Sequence, residues 1–382
     1  MRIYKGLLEK NSLSINLCFF LNSVGSTLLM PLALLYLAGN EISNKEILYL
    51  GTVKFWSFSA SYFFVIPVAS RMNIKKTIIL SILFKCISLL ILFLGNNFYF
   101  FLLVMTVSGV ASAFFSTASK LYIKATSSDV SQSFSARMTV SNAGAALSPL
   151  IVSVLVFFDI GFNSSLFFLF FSFLVGFLVA FSLDDCRVDN GAKKVSFSLN
   201  ELFSYDSAIV IVLSVVFAML YFTFETVVPL ELVQHGYKEF VGPVMLLNTV
   251  IIIFGQMPVY RLFTDRLGVV NSLLIFNGGC IALFIPWFSG VSGVSGLFFI
   301  VIGVTFLEMF YGAGIDTIIT MAEDEKKIAL LDGASSIALS IGAAVSAVIY
   351  GDSIMFIPLV FTLFLLASFC VFKGGNKVAS EM

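Results

Sequence analysis

Asp184-Asp185-Cys186-Arg187-Val188-Asp189-Asn190-Gly191-Ala192-Lys193-Lys194 is the least hydrophobic stretch of this chain, and its polar character runs on to about Asp206. On each side of it lies a series of continuous apolar runs. Each run is long enough to cross a bilayer as a helix, which takes about 20 residues. The stretch therefore reads as a linker between two membrane-embedded halves that return to the same aqueous side. The expected division is 1–183, a linker at 184–206, and 207–382.

Composition supports the same class. The chain is 59% hydrophobic and 12% charged, against roughly 25% charged in soluble domains. A folded surface in water could not hide that much apolar area. Lipid admits only helices or closed barrels, because every backbone amide must be satisfied internally. Barrel strands would alternate polar and apolar over about ten residues; these runs do not. Formal net charge is zero, so nothing indicates a nucleic-acid partner. The five cysteines and the single His235 fit neither a disulfide framework nor a metal site. No cofactor and no metal are expected.

Twelve spans are expected, at about 13–37, 47–69, 77–95, 98–121, 138–158 and 163–183 in the first half. The second half supplies 207–230, 240–260, 269–288, 294–315, 328–350 and 354–372. Placing the N-terminus inside puts 18 of the 22 Lys and Arg on that side, with only Lys45 and Lys238 outside and Lys54 and Lys85 within spans. That asymmetry orients the chain. Both termini and the linker are then cytoplasmic, and the expected location is a bacterial cytoplasmic (inner) membrane.

The halves look like a repeat. The basic turn Arg71-Met72-Asn73-Ile74-Lys75-Lys76 is answered by Arg261-Leu262-Phe263-Thr264-Asp265-Arg266-Leu267-Gly268. Gly144-Ala145-Ala146-Leu147-Ser148 is answered by Gly342-Ala343-Ala344-Val345-Ser346. Two repeated six-helix halves with a site near the midplane suit alternating access.

These residues resemble the major facilitator superfamily over essentially the whole chain. Its signature after spans 2 and 8, roughly G-x-x-x-D-R-x-G-R-[KR], is matched by Asp265-Arg266-Leu267-Gly268. The first copy keeps Arg71 and Lys75-Lys76, with Ser70 for the aspartate and Asn73 for the glycine. Gly144 to Pro149 resembles the G-x-x-x-G-P motif of drug exporters, and Phe306-Leu307-Glu308-Met309 resembles a G-E pair of proton-coupled multidrug exporters. Met105 stands where many such exporters carry an arginine. The resemblance implies an all-α fold of two six-helix bundles. It also implies a cytoplasmic gate at Arg71, Asp265, Arg266 and Gly268, and a cavity-sealing bend at Gly144 and Pro149.

Charges inside lipid carry the functional expectation. A charge at the bilayer centre costs at least ~2.5 kcal/mol and usually faces a cavity. Glu308, deep in span 10, is the first candidate for proton coupling; the competing reading is a permanently protonated structural acid. Glu225, in Tyr221-Phe222-Thr223-Phe224-Glu225, is the second, with hydration near the interface as its alternative. Lys54 either pairs with an acid or snorkels outward. Lys85 is expected to snorkel or pair structurally. Asn22, Ser26, Lys54, Tyr221, Phe224, Asn248 and Gln256 are the expected cavity residues; for the polar ones of spans 1 and 8, interhelical hydrogen bonding is an equal alternative. His235 is expected at the surface.

No G-x-x-x-x-G-K-[ST] loop is present, and no catalytic dyad is visible, so neither ATP-driven transport nor an enzyme is expected. The expected protein is a monomeric secondary transporter, embedded in the lipid bilayer, with protons and a small molecule as partners. The favoured version is antiport exporting a drug-like, amphipathic or antibiotic compound. The alternatives are symport of a small solute, or export of one metabolite or peptide toxin.

Overall fold

The computed structural model describes residues 10–37, 42–71, 73–95, 97–127, 130–186, 205–259, 265–288, 294–320 and 325–350. Among these residues the chain is helical, with no strand. The first half holds α1 (Lys10–Leu37), α2 (Asn44–Arg71), α3 (Ile74–Leu92), α4 (Phe98–Thr126), α5 (Val130–Phe157) and α6 (Phe162–Ala180). The second holds α7 (Tyr205–Phe222), α8 (Val228–Gln234), α9 (Val241–Val259), α10 (Asp265–Phe288), α11 (Val294–Thr320) and α12 (Glu325–Tyr350). Seven described helical stretches are long and apolar enough to cross a membrane. The span expected at 354–372 lies outside the described residues.

Local chemistry sets the helix starts. Ser43 and Glu46 form a capping box before α2: the Ser43 amide and hydroxyl donate to Glu46 Oε2 at 2.8 and 2.6 Å, and the Glu46 amide returns to Ser43 Oγ. Orphan amides at the helix start are thereby satisfied. The Ser43 hydroxyl, then its amide, hold the Glu46 carboxyl below its ordinary pKa. Asn97 accepts from the Tyr99 and Phe100 amides to cap α4.

Two compact units divide the chain. One is Met1–Lys194 with Val233–Thr249; the other is Val195–Leu232 with Val250–Met382. In the first unit α1 packs on α5 and α6, and α4 packs on α2 and α3. The start of α9 belongs to this unit because Gly242 lies against Pro149 and Ser153 of α5, leaving no room for a Cβ. In the second unit α7 packs on α12, and α10 on α11.

Span 7 is not the uniform helix that its apolar run suggests. Between α7 and α8 the chain widens into a π-turn, Thr223–Val227, where the Val228 amide donates to the Thr223 carbonyl. Pro229 gives the reason. It has no N–H for the Glu225 carbonyl four residues earlier, so the regular ladder cannot continue.

Each unit repeats one helix contact in detail. A Cβ at Gly144 would strike the Phe20 carbonyl of α1, and one at Gly342 would strike the Val215 carbonyl of α7. One turn on, Ser148 Oγ donates to the Val24 carbonyl at 2.8 Å, and Ser346 Oγ to the Met219 carbonyl at 3.1 Å. Thr27 meets Ser148, and Thr223 meets Ser346. The two carbonyl pairs, 20 and 24 against 215 and 219, are 195 positions apart. In both units the paired helices run parallel. For α1 and α5 this fits three intervening crossings, which is what α2, α3 and α4 provide.

Gly268 is the one place in α10 where the backbone leaves helical geometry, at φ +79°. Glycine adopts this left-handed region freely, whereas other residues pay about 1–2 kcal/mol there. Gly268→Ala is expected to lower stability by that amount. Gly144→Val and Gly342→Val are expected to cost about 1–3 kcal/mol each through overpacking. Thermal unfolding of the purified protein in detergent measures all three. Wild-type melting in both valine variants would show that these helices do not meet closely.

Candidate functional site

The second unit gathers the acids. Glu225 sits in the π-turn and is only 5% exposed. Hydration near the interface, its alternative reading, does not describe this burial: the wide turn carries the carboxylate into the bundle. π-turns inside α-helices are frequent at functional sites. One turn before it, half-buried Tyr221 stands within electrostatic reach of both Glu225 and Glu308. Glu308 lies in α11 and is half-buried. Phe224 is buried in the same π-turn. The structure therefore brings Tyr221 within reach of Glu225 and of Glu308, which the sequence places on two distant spans.

An aromatic column backs this cluster. The Phe217 ring stacks on Tyr221 at 5.8 Å and on Tyr311 at 4.0 Å, the latter nearly parallel, and Phe276 meets Tyr311 at 5.4 Å. The Tyr311 hydroxyl is fixed by Ser214, which also bonds Ser335. Sequence reasoning missed Phe217, Phe276 and Tyr311. Single phenylalanines among the 44 in this chain carry no signal of their own.

The first unit gathers the bases. Asn22 and Ser26 of α1 both accept from Lys85 Nζ, at 2.7 and 2.9 Å. Lys85 is 1% exposed, so it does not snorkel. It reaches across to α1 from the middle of α3, about two turns from the nearer helix end. Lys54 of α2 is half-buried and close enough to repel the Lys85 ammonium.

The remaining expected residues lie apart from these two groups. Asn248 is buried in α9, with the first unit. Gln256 lies in α9, Arg71 ends α2 and Asp265 begins α10, while the side chains of all three fall outside the described residues. Arg266 is exposed. Gly268 marks the backbone break described above. Pro149 lies inside α5, its carbonyl accepting from Ser153 Oγ. His235 is exposed. Met105, at the position of the absent arginine, is fully buried in α4.

The first basic turn, which lacks its aspartate at Ser70, finds a carboxylate elsewhere. Asn73 Nδ2 donates to Asp185 Oδ1 at 3.1 Å, and the Ile74 amide donates to the Cys186 carbonyl. The opening residues of the linker thus dock on the turn between α2 and α3.

The match to known proteins agrees with this architecture. The family model of the Major Facilitator Superfamily matches residues 15–348, and the chain belongs to that superfamily. It is an integral membrane protein with the transporter fold of that family. No curated protein matches the sequence significantly. Among solved structures, a POT family transporter bound to a thioalcohol-conjugated peptide is similar at a TM-score of 0.76 and 10% identity, covering 96% of each chain. The nucleoside transporter NupG is similar at 0.72 and 14%, covering 94% of this chain and 96% of its own. A human organic anion transporter is similar at 0.67 and 13%, covering 95% and 99%. At these identities the likeness is one of fold.

Asn277 of α10 is fully buried, and among the described residues neither its amide nitrogen nor its oxygen has a hydrogen-bond partner. Leaving buried polar atoms unsatisfied costs about 1–3 kcal/mol, and an apolar replacement of similar shape removes that penalty. Asn277→Leu is therefore expected to melt no lower than wild type. A drop of several degrees in the same detergent assay would contradict this account of the site.

Proposed function

We propose that this chain is a proton-coupled antiporter that exports an amphipathic small molecule by alternating access. The two sequence halves, parted at 184–206, act as the moving bodies. The observation that carries the proposal is Glu225 buried in a π-turn, with Tyr221 in reach of both it and Glu308. A buried carboxylate favours its protonated form unless an opposite charge compensates. No Lys or Arg lies within any expected span of the second half, and a proton or a cationic group of the cargo suits that acidic surrounding. A site that accepts either one, but not both together, exchanges them. Tyr221 stands in reach of both acids, so one side chain can link them in the coupling step.

Export of an amphipathic compound is supported by the aromatic column and by the small number of charges inside the bundles. Arg71, Asp265 and Arg266 serve as the cytoplasmic gate, with Gly268 as its hinge, and Pro149 with Gly144 shapes the seal. A helix-end charge network of this kind biases a two-state equilibrium by the few kcal/mol that transport requires.

A second reading, proton-driven import of a small solute, is favoured by the solved structures named for peptide and nucleoside transport. One assay separates the two. Purified protein is placed in liposomes, a pH step is applied, and a panel of lipophilic cations and small solutes is followed. Cargo moving against the inward flow of protons supports antiport; cargo moving with it assigns symport.

Glu308→Gln is expected to abolish gradient-driven transport while leaving cargo exchange across the membrane measurable. Glu225→Gln is expected to have the same phenotype, and the double variant to be no worse than either single one. Wild-type gradient-driven rates in both single variants would remove the acidic pair from the coupling step.

A further inference from the structure

The most costly side chain in the first unit has no role in the coupling scheme above. Lys85 is among the largest fully buried side chains of the protein. It lies at the twelfth of the 19 residues of α3. At 1.5 Å per residue, both ends of the helix are about 10 Å or more away. Its ammonium has three N–H donors. Two meet neutral oxygens, Asn22 Oδ1 and Ser26 Oγ, and the group lies 5.3 Å from the centroid of the Phe173 ring on α6. None of these contacts carries a negative charge.

Among the described residues no acid acts on Lys85. The charged and titratable groups that do are Lys54 of α2, which repels it, and the Cys86 thiol beside it on α3. From Lys10 to Leu183 the only acids in the sequence are Glu41, Glu46, Asp129 and Asp159, each outside the six apolar runs. Two amines thus share the apolar interior of a bundle whose spans contain no carboxylate. A buried charge is ordinarily paired, because leaving one uncompensated is strongly destabilising. Moreover, the two acceptors are not themselves sealed away: Asn22 and Ser26 are half-buried. The ammonium lies one side chain beneath the surface of α1, behind two small groups that can exchange their hydrogen bonds for those of an incoming anion.

We infer that Lys85, with Asn22 and Ser26, forms an anion subsite that takes the carboxylate, or another singly charged acidic group, of the transported molecule. Lys54 adds to the positive potential without needing to touch the ligand. Phe173, with its ring beside the ammonium, favours a carboxylate attached to an apolar or aromatic body. The inference rests on the transporter reading and adds to its amphipathic cargo an acid group, carried beside the cationic group that exchanges with the proton. An inorganic anion such as chloride is the competing source.

The test is a binding measurement on the full chain in detergent, with no gradient. Benzoate, salicylate, 3-phenylpropionate and N-acetylphenylalanine are each compared with the corresponding primary amide by thermal unfolding, in chloride and in chloride-free buffer. At least one carboxylate is expected to raise the melting temperature by several degrees more than its amide. Lys85→Met should abolish that difference and Asn22→Ala should weaken apparent affinity at least threefold. Asn22→Ala also carries the test should the methionine variant not fold. The inference is overturned if no carboxylate outperforms its amide on wild type. It is equally overturned if the preference is undiminished in whichever of these variants folds, or if chloride produces the whole effect and carboxylates do not compete with it. Binding is read here without a proton gradient. A failure of proton coupling therefore leaves this result standing, and the reverse.

Discussion

Lipid offers no hydrogen bonds, so each polar group within the apolar runs must find its partner inside the protein. That constraint organises what the structure shows. Serine and threonine hydroxyls along α1, α5 and α6 close onto carbonyls of neighbouring helices: Ser23 onto Ser141, Ser148 onto Val24, Ser172 onto Leu21. Gly144 allows α5 close enough for these bonds to form. Small residues act together here, the glycine by its missing Cβ and the hydroxyls by reaching a carbonyl one helix away.

The exceptions to this closure are the residues with functional interest. Glu225 is buried where Pro229 disrupts the backbone ladder, and Lys85 is held by neutral oxygens alone. Ionisable groups at such depth are expensive and are usually kept for ion or substrate handling. Their distribution is lopsided. The spans of the first half contain lysines and no acid, while the expected spans of the second contain acids and no base. Tyr221 and Ser26 are 195 positions apart, the same offset that relates the carbonyls met by the glycine and serine in the two units. The repeat thus presents one helix position twice, once beside a base and once beside two acids.

The sequence by itself determined the membrane class, the helical fold and the internal repeat. Run length, charge asymmetry and composition are one-dimensional consequences of bilayer thickness and of the cost of charge in lipid. It also marked Glu308, Glu225, Asn22 and Ser26 as unusual, since a polar residue within an apolar run is visible without coordinates. Their grouping was decided by tertiary structure. Nothing in linear spacing says that Lys85 turns inward to Asn22 and Ser26, or that Tyr221 serves two acids on different spans. Such contacts depend on which helix faces meet, and a helix that is apolar all round carries no pattern from which its facing side can be read. The π-turn escaped for a related reason: Pro229 signals a disturbed ladder, but whether the chain kinks, breaks or widens is decided by the helices packed around it.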